Sequence, residues 1–295
     1  MKQYTEPFRS SEITRLEVHT LDASVKTRFT NYKSRNPGGG ARKEITELSR
    51  QSRSRLLFKA RNIPDLTTML TFTYPGAEYA TTATGGDFMS DGKTVKNHLR
   101  KIRQALTYRG IYGFWFLEFQ KRGAPHFHFI VSGSLDIPQV SKLQKTWFKM
   151  VGSSCPFHLD MGMKYEILRK KHAAGAYAAK YSCKDEQKTV PEQYRGVGRF
   201  WGTFGKISNI SHRITLQSDK DIHRIHRVAK NARKADARAK GYKLKPSHSQ
   251  SYSGSLYNCA PAIRYFLEYL YIIPGNPARI DIIAPCSRSP ACVHP

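Results

Sequence analysis

Between Leu66 and Pro75 the chain reads Leu-Thr-Thr-Met-Leu-Thr-Phe-Thr-Tyr-Pro, a run of β-branched and aromatic residues that stops at Pro-Gly and predicts a strand. The period then changes. Val95, Leu99, Ile102 and Leu106 recur at helical spacing, Lys93, Lys96, Arg100 and Arg103 lie off that stripe, and Asp91 stands where a helix cap belongs. Two aromatic-rich runs follow, Tyr112 to Phe119 and His126 to Val131, joined by Gln120-Lys121-Arg122-Gly123-Ala124-Pro125, which has the composition of a hairpin turn. Val140, Leu143, Trp147 and Met150 predict a helix over 138–151, followed by a strand between Phe157 and Leu168 and an alanine-rich helix from about Ala173 to Lys184.

Strand, helix, strand, strand, helix, strand, helix is the order of an α+β protein: a central antiparallel sheet with flanking helices, packed on one face in the ferredoxin-like manner. The flanks read differently. Residues 1–55 are polar, basic and broken by Pro37-Gly38-Gly39-Gly40, which predicts a mostly irregular basic arm; 56–216 form the predicted central domain. From 217 to 295 the expectation is a basic helical segment and a tail. Its stretch 219–245 holds ten Lys and Arg against three Asp, with Ile222, Ile225 and Val228 as a thin apolar strip.

Charge narrows the partners. A net charge of +27 with a pI near 10.0 is the footprint of a polyanion binder, nucleic acid first among the options. The run beyond 217 offers Arg224, Arg227, Lys230, Arg233 and Lys234 as phosphate contacts. Five cysteines, odd in number and without Cys-x-x-Cys spacing, argue against a zinc ribbon or a disulfide framework and for reduced thiols. With no signal-peptide core at Met1 to Glu6 and no run approaching the ~20 apolar residues of a membrane span, a soluble cytoplasmic protein with no membrane partner is expected.

Chemistry concentrates in two segments. On a strand His126 and His128 point to the same side, with Phe127 and Phe129 on the other, and the hairpin brings Glu118 near both. Two nitrogens and a carboxylate with open positions suit one divalent ion, Mg²⁺ or Mn²⁺, completed by phosphate oxygens. A histidine-triad hydrolase would need a third histidine where Ile130 stands. On the alanine-rich helix Tyr177 and Tyr181, four apart, share a stripe that Lys184 extends, with Lys180 beside it. Phenol oxygens facing a cation-polarised phosphate suit phosphodiester transesterification, with Lys184 or Lys180 neutralising charge on the phosphoryl oxygens. The same tyrosines could instead pack the helix on the sheet, their hydroxyls in water.

Leu70-Thr71-Phe72-Thr73-Tyr74-Pro75, Arg122-Gly123-Ala124-Pro125-His126-Phe127-His128-Phe129 and Tyr177-Ala178-Ala179-Lys180-Tyr181-Ser182-Cys183-Lys184 resemble, in order and spacing, the three motifs of the HUH endonucleases, specifically the rolling-circle replication initiators of bacteriophages and plasmids. The tyrosine pair is similar to the A proteins of small isometric phages; Gly198-Arg199-Phe200-Trp201-Gly202 looks like replication proteins of filamentous phages. The resemblance covers roughly 66–205. It implies an endonuclease that nicks the origin strand through a covalent 5′-phosphotyrosine and rejoins ends. One tyrosine would prime synthesis by freeing a 3′ hydroxyl, and the second would release a circle. It also implies single-stranded DNA at a replication origin as substrate, with Lys121, Arg122, Arg199 and Trp201 as contacts; Phe200, Trp201 and Phe204 could stack bases or pack the core. No Gly-x-x-x-x-Gly-Lys-Ser/Thr loop is present, so host helicase and polymerase are the expected partners. Two other readings share these residues: a two-tyrosine transposase, and a non-enzymatic basic nucleic-acid-binding protein.

Overall fold

The computed structural model describes residues 12–29, 44–76, 91–168, 173–182, 189–207, 210–216, 218–243 and 254–272. In chain order the elements begin with β1 (Glu12–His19), β2 (Ala23–Phe29), α1 (Arg50–Asn62), β3 (Leu66–Thr73), α2 (Gly92–Tyr108), β4 (Gly113–Phe119) and β5 (Pro125–Ser132). They continue with α3 (Ile137–Met150), α4 (Pro156–Met161), β6 (Met163–Ile167), α5 (Ala173–Ser182) and β7 (Trp201–Phe204). Last come β8 (Ile210–Leu216), α6 (Asp219–Ala239), β9 (Gly254–Leu256) and α7 (Ala260–Ile272). They divide into two compact units, Gly40–Ser208 and a discontinuous one made of Met1–Gly39 with Asn209–Pro295.

The Gly40–Ser208 unit holds a five-stranded antiparallel sheet in the order β6-β3-β5-β4-β7. Its first four strands, with α2 between β3 and β4 and α3 between β5 and β6, trace the β-α-β-β-α-β path that the hydrophobic pattern predicts. Local signals place the ends. Asp91 accepts from Thr94 N at the start of α2, and Asp136 and Gln139 close a reciprocal capping box on α3. Gln120–Gly123 form the hairpin turn, in which Gly123 sits at φ +82°, the left-handed region that glycine enters without a Cβ penalty.

The side-chain alternation of the strands then sorts the core into two layers. Leu70, Phe72, Trp115, Leu117, Phe119, Phe127, Phe129 and Val131 face α2 and α3, meeting Val95, Leu99, Ile102, Leu106, Leu143 and Trp147. Met69, Phe114, Phe116 and Ile130 face the other way, against Leu56 and Ala60 of α1 and Ala174 and Ala178 of α5. The expectation of helices on one face therefore holds for the crossover helices alone. The opposite face is covered by α1 and α5, because β4 and β5 are apolar on both sides and a sheet with two apolar faces needs two covers. The two covering helices approach closely: a Cβ on Gly175 would stand 3.1 Å from Arg61 Cγ.

The predicted strand over 157–168 is in part a helix. Pro156 starts α4 and only Met163–Ile167 is extended. The predicted irregular arm also gives way, since β1 and β2 form a hairpin within 12–29 and α1 begins at Arg50. They pair into a four-stranded antiparallel sheet, β8-β1-β2-β9, so the predicted boundary at 216/217 does not separate the units. Leu16, Val18, Ala23, Val25, Ile214 and Leu216 pack beneath Ile222, Ile225 and Ala229 of α6 and Ile263 and Leu267 of α7. Among the described residues no helix is long and apolar enough to cross a membrane, and Cys155 and Cys259 are free thiols.

Inside the α2/α3 layer, His98 Nδ1 lies 3.0 Å from the buried Tyr74 hydroxyl. Burial, with Lys101 nearby, pulls the His98 pKa from 6.5 down to about 4, so the folded state holds the neutral ring. Its folded pKa lies below the unfolded one; the contribution to stability is complete above pH 6.5 and drains as the pH falls toward 4. The urea midpoint is therefore expected to drop across that window, and less steeply in His98→Gln. Identical pH profiles for the two proteins would contradict this.

Candidate active site

The predicted metal residues lie on the α1/α5 face of the five-stranded sheet. Pairing of β3, β5 and β4 is in register, so two rows run across the three strands: Thr73, His126 and Glu118, then Thr71, His128 and Phe116. His128 Nε2 stands 3.3 Å from Glu118 Oε2, both side chains buried. The His126 and His128 rings sit edge to face with centroids 4.5 Å apart, and His128 stacks on Phe116 at 4.8 Å. The sequence alone found Glu118, His126 and His128, and the structure brings all three to one spot.

It missed the threonines. Thr73 Oγ1 lies 3.0 Å from His126 Nδ1, and Thr71 Oγ1 lies 3.2 Å from His128 Nδ1. Each hydroxyl engages the inner nitrogen, which sets both rings so that Nε2 points outward as the coordinating atom. The signal was present as period 2 in the Thr71-Phe72-Thr73 segment, which puts both threonines on one face.

The end of β3 is fixed from several directions. Trp147 Nε1 and His158 Nε2 both donate to the Thr73 carbonyl, at 2.9 and 2.8 Å. Burial, the largest cause, lowers the His158 pKa, and this histidine supports the strand rather than the reacting face. Arg122 donates to the carbonyls of Tyr74 (2.6 Å) and Pro75 (2.8 Å) and to Gln120 Oε1 (2.9 Å). Expected as a DNA contact, it instead ties the β4-β5 turn to the strand beside it, because its planar fork meets two successive carbonyls. Trp201, expected to stack bases, donates to Ser52 Oγ at 2.8 Å and packs with both apolar layers; Phe200 and Phe204 are core residues. Lys121 and Arg199 are exposed.

Tyr177 packs with the Phe116, Ile130 and Ala178 cluster, on the sheet face that carries the histidines. Position 181 falls within α5 one turn later, and Lys180 is exposed on the same helix. Lys184 lies outside the described residues.

The donor set suits a divalent cation. In octahedral coordination with bonds of about 2.1 Å, neighbouring ligand atoms stand about 3 Å apart, close to the 3.3 Å between Glu118 and His128. Among the described residues no three His, Cys, Asp or Glu side chains are gathered as a finished cage. The fit is thus one of donor chemistry and of the Glu118-His128 pair.

These positions fall in a stretch that is similar to a class of replication proteins. Residues 67–186 match the family model of replication-associated proteins of the ORF2/gene 2 type. Over 138 residues the chain is 25% identical to the replication-associated gene 2 protein of Pseudomonas phage Pf3, a stretch covering 43% of this chain and 48% of that protein. The match thus spans about half the length of that relative. No solved structure matches the chain. The family match runs from the start of β3 past the end of α5, and so includes every residue of the two rows and the tyrosine helix.

Arg122→Ala is expected to lower stability by about 1–3 kcal/mol in urea unfolding, since partners lose charge-assisted bonds, with Arg122→Lys restoring only part. DNA-binding salt dependence should stay as it was. Unchanged stability with a shallower salt dependence would return Arg122 to the DNA surface.

Proposed function

We propose that the Gly40–Ser208 unit is an HUH-type endonuclease that initiates rolling-circle replication. Its substrate in this reading is single-stranded DNA at a replication origin. The observation that carries it is the pair of cross-strand rows, Glu118-His126-Thr73 and His128-Thr71, on the sheet face where the Tyr177 helix packs. The match to replication-associated proteins supports replication over transposition.

A single Mg²⁺ or Mn²⁺ held by Glu118, His126 and His128 would, when bound, polarise the scissile phosphate. The chain supplies the rest. Thr71 and Thr73 hold the two rings in the required tautomer, and the apolar cluster around Phe116 keeps water from one side of the site. The oxygen of Tyr177 or Tyr181 attacks phosphorus as its proton leaves to solvent. The new O–P bond joins the tyrosine to the 5′ phosphate while the P–O3′ bond breaks, and the departing oxygen takes a proton to become the 3′ hydroxyl. That hydroxyl primes a host polymerase, a host helicase opens the duplex, and the second tyrosine reverses the chemistry at the end of a round. Lys180 and Lys184 are the cations nearest in sequence to the reacting oxygens and serve to balance phosphoryl charge.

Incubation with a pool of single-stranded circles or origin-derived oligonucleotides and Mn²⁺ is expected to attach DNA to the 173–182 peptide, read by denaturing gel and peptide mass spectrometry. Tyr177→Phe with Tyr181→Phe should abolish the adduct, and His128→Ala should reduce it by at least ~10²-fold while single-strand affinity is kept. Tight binding with no adduct on any DNA would overturn the proposal. Separately, Thr71→Val with Thr73→Val is expected to weaken Mn²⁺ binding by about 10–100-fold in calorimetric titration; equal affinity would show that the hydroxyls do not orient the rings.

A further inference from the structure

The discontinuous unit carries a surface that the nicking reading does not use. Helix α6 buries Ile222, Ile225 and Ala229 against the β8-β1-β2-β9 sheet. At 100° per residue, Lys220, Arg224, Arg227, Lys234 and Arg238 fall within one narrow stripe on the side away from those positions, and all five are exposed. From Lys220 to Arg238 the stripe is about 27 Å long at about 1.5 Å per residue. The acids of α6 lie off it: Asp221 pairs with Arg224 at 3.6 Å, and Asp236 with Lys240 at 2.6 Å. Among the described residues no carboxylate pairs with Lys220, Arg227, Lys234 or Arg238. Arg233, expected to belong to the same surface, turns away from the stripe and acts electrostatically on the buried Cys259 thiol.

We propose that this stripe is a docking surface for duplex DNA, separate from the single-strand chemistry of the other unit. Three observations select that occupant. The cations form a straight row on a helix braced by a sheet, which matches a stiff double helix carrying one phosphate per ~1.7 Å of axis. Helix α6 contains no Phe, Tyr or Trp, whereas single-strand sites interleave cations with stacking aromatics. Its apolar face is already buried in the fold, so it has nothing to insert into a lipid surface. An α-helix of this kind fits the ~12 Å major groove of DNA, and the deep, narrow groove of duplex RNA does not admit it.

The test uses the full chain and three ligands of one length: duplex DNA, single-stranded DNA and duplex RNA, each of unrelated sequence. Affinities are read by fluorescence anisotropy over a salt series. In Arg227→Gln/Lys234→Gln/Arg238→Gln, three lost phosphate contacts should reduce the slope of log K against log salt for duplex DNA by about 2.7, with single-strand affinity unchanged. Arg227→Lys/Arg238→Lys should keep the native slope, which separates charge from fold. An unchanged duplex slope in the triple variant, an equal loss on single strands, duplex RNA bound as well as duplex DNA, or loss of the slope in the Lys variant would each overturn the assignment. The readout is binding, so it stands or falls independently of whether a tyrosine adduct forms.

Discussion

The register of β3 against β5 and of β5 against β4 is the constraint on which the rest of the site depends. Two hydroxyls, two imidazoles and a carboxylate come from three strands separated by up to 57 residues, and they meet because Thr73, His126 and Glu118 are paired across the ladder. A slip of one residue in any strand would turn its polar members into the Phe-rich α2/α3 layer and its phenylalanines outward. That layer, with Phe72, Phe127 and Phe129 on the reverse of the polar positions, penalises such a slip heavily. Packing on one face of the sheet thereby fixes chemistry on the other.

A buried carboxylate and imidazole are costly to hold without partners, and the structure surrounds them with support. The Thr73 carbonyl takes donors from Trp147 and His158, the Tyr74 and Pro75 carbonyls take the Arg122 fork, and Phe116 stacks on His128. These contacts hold the backbone on which the threonines sit, so the imidazole orientation is determined two layers away from the rings. The same economy explains why Arg122 and Trp201 look functional in the sequence: both types are frequent in nucleic-acid sites, yet here each has its donors turned inward.

Local pattern made the βαββαβ core legible. Periods of 2 and 3.6 alternate cleanly from Leu66 to Met150, and Asp91, Asp136 and Gly123 punctuate them. Glu118, His126 and His128 could be read as one group because a tight hairpin links their strands. What could not be read was non-local. Strand β1 takes β8 as a partner nearly two hundred residues away, and its apolar positions are too sparse to announce a strand without it. Helix α4 interrupts the stretch before β6 because Pro156 favours the first turn of a helix, a preference that the apolar content of 157–168 concealed. Helices α1 and α5 cover the second face, which was hidden by reading the aromatic strands as one-sided.

The account rests on the claim that Glu118, His126 and His128 act as one cation site on the tyrosine-facing side of the sheet. Anomalous diffraction from crystals soaked in Mn²⁺ tests it most directly. The account predicts one strong anomalous peak within about 2.0–2.6 Å of a Glu118 oxygen and the Nε2 atoms of both histidines, absent in His126→Ala/His128→Ala. A strong peak elsewhere in the unit, with none between these three side chains, would contradict it.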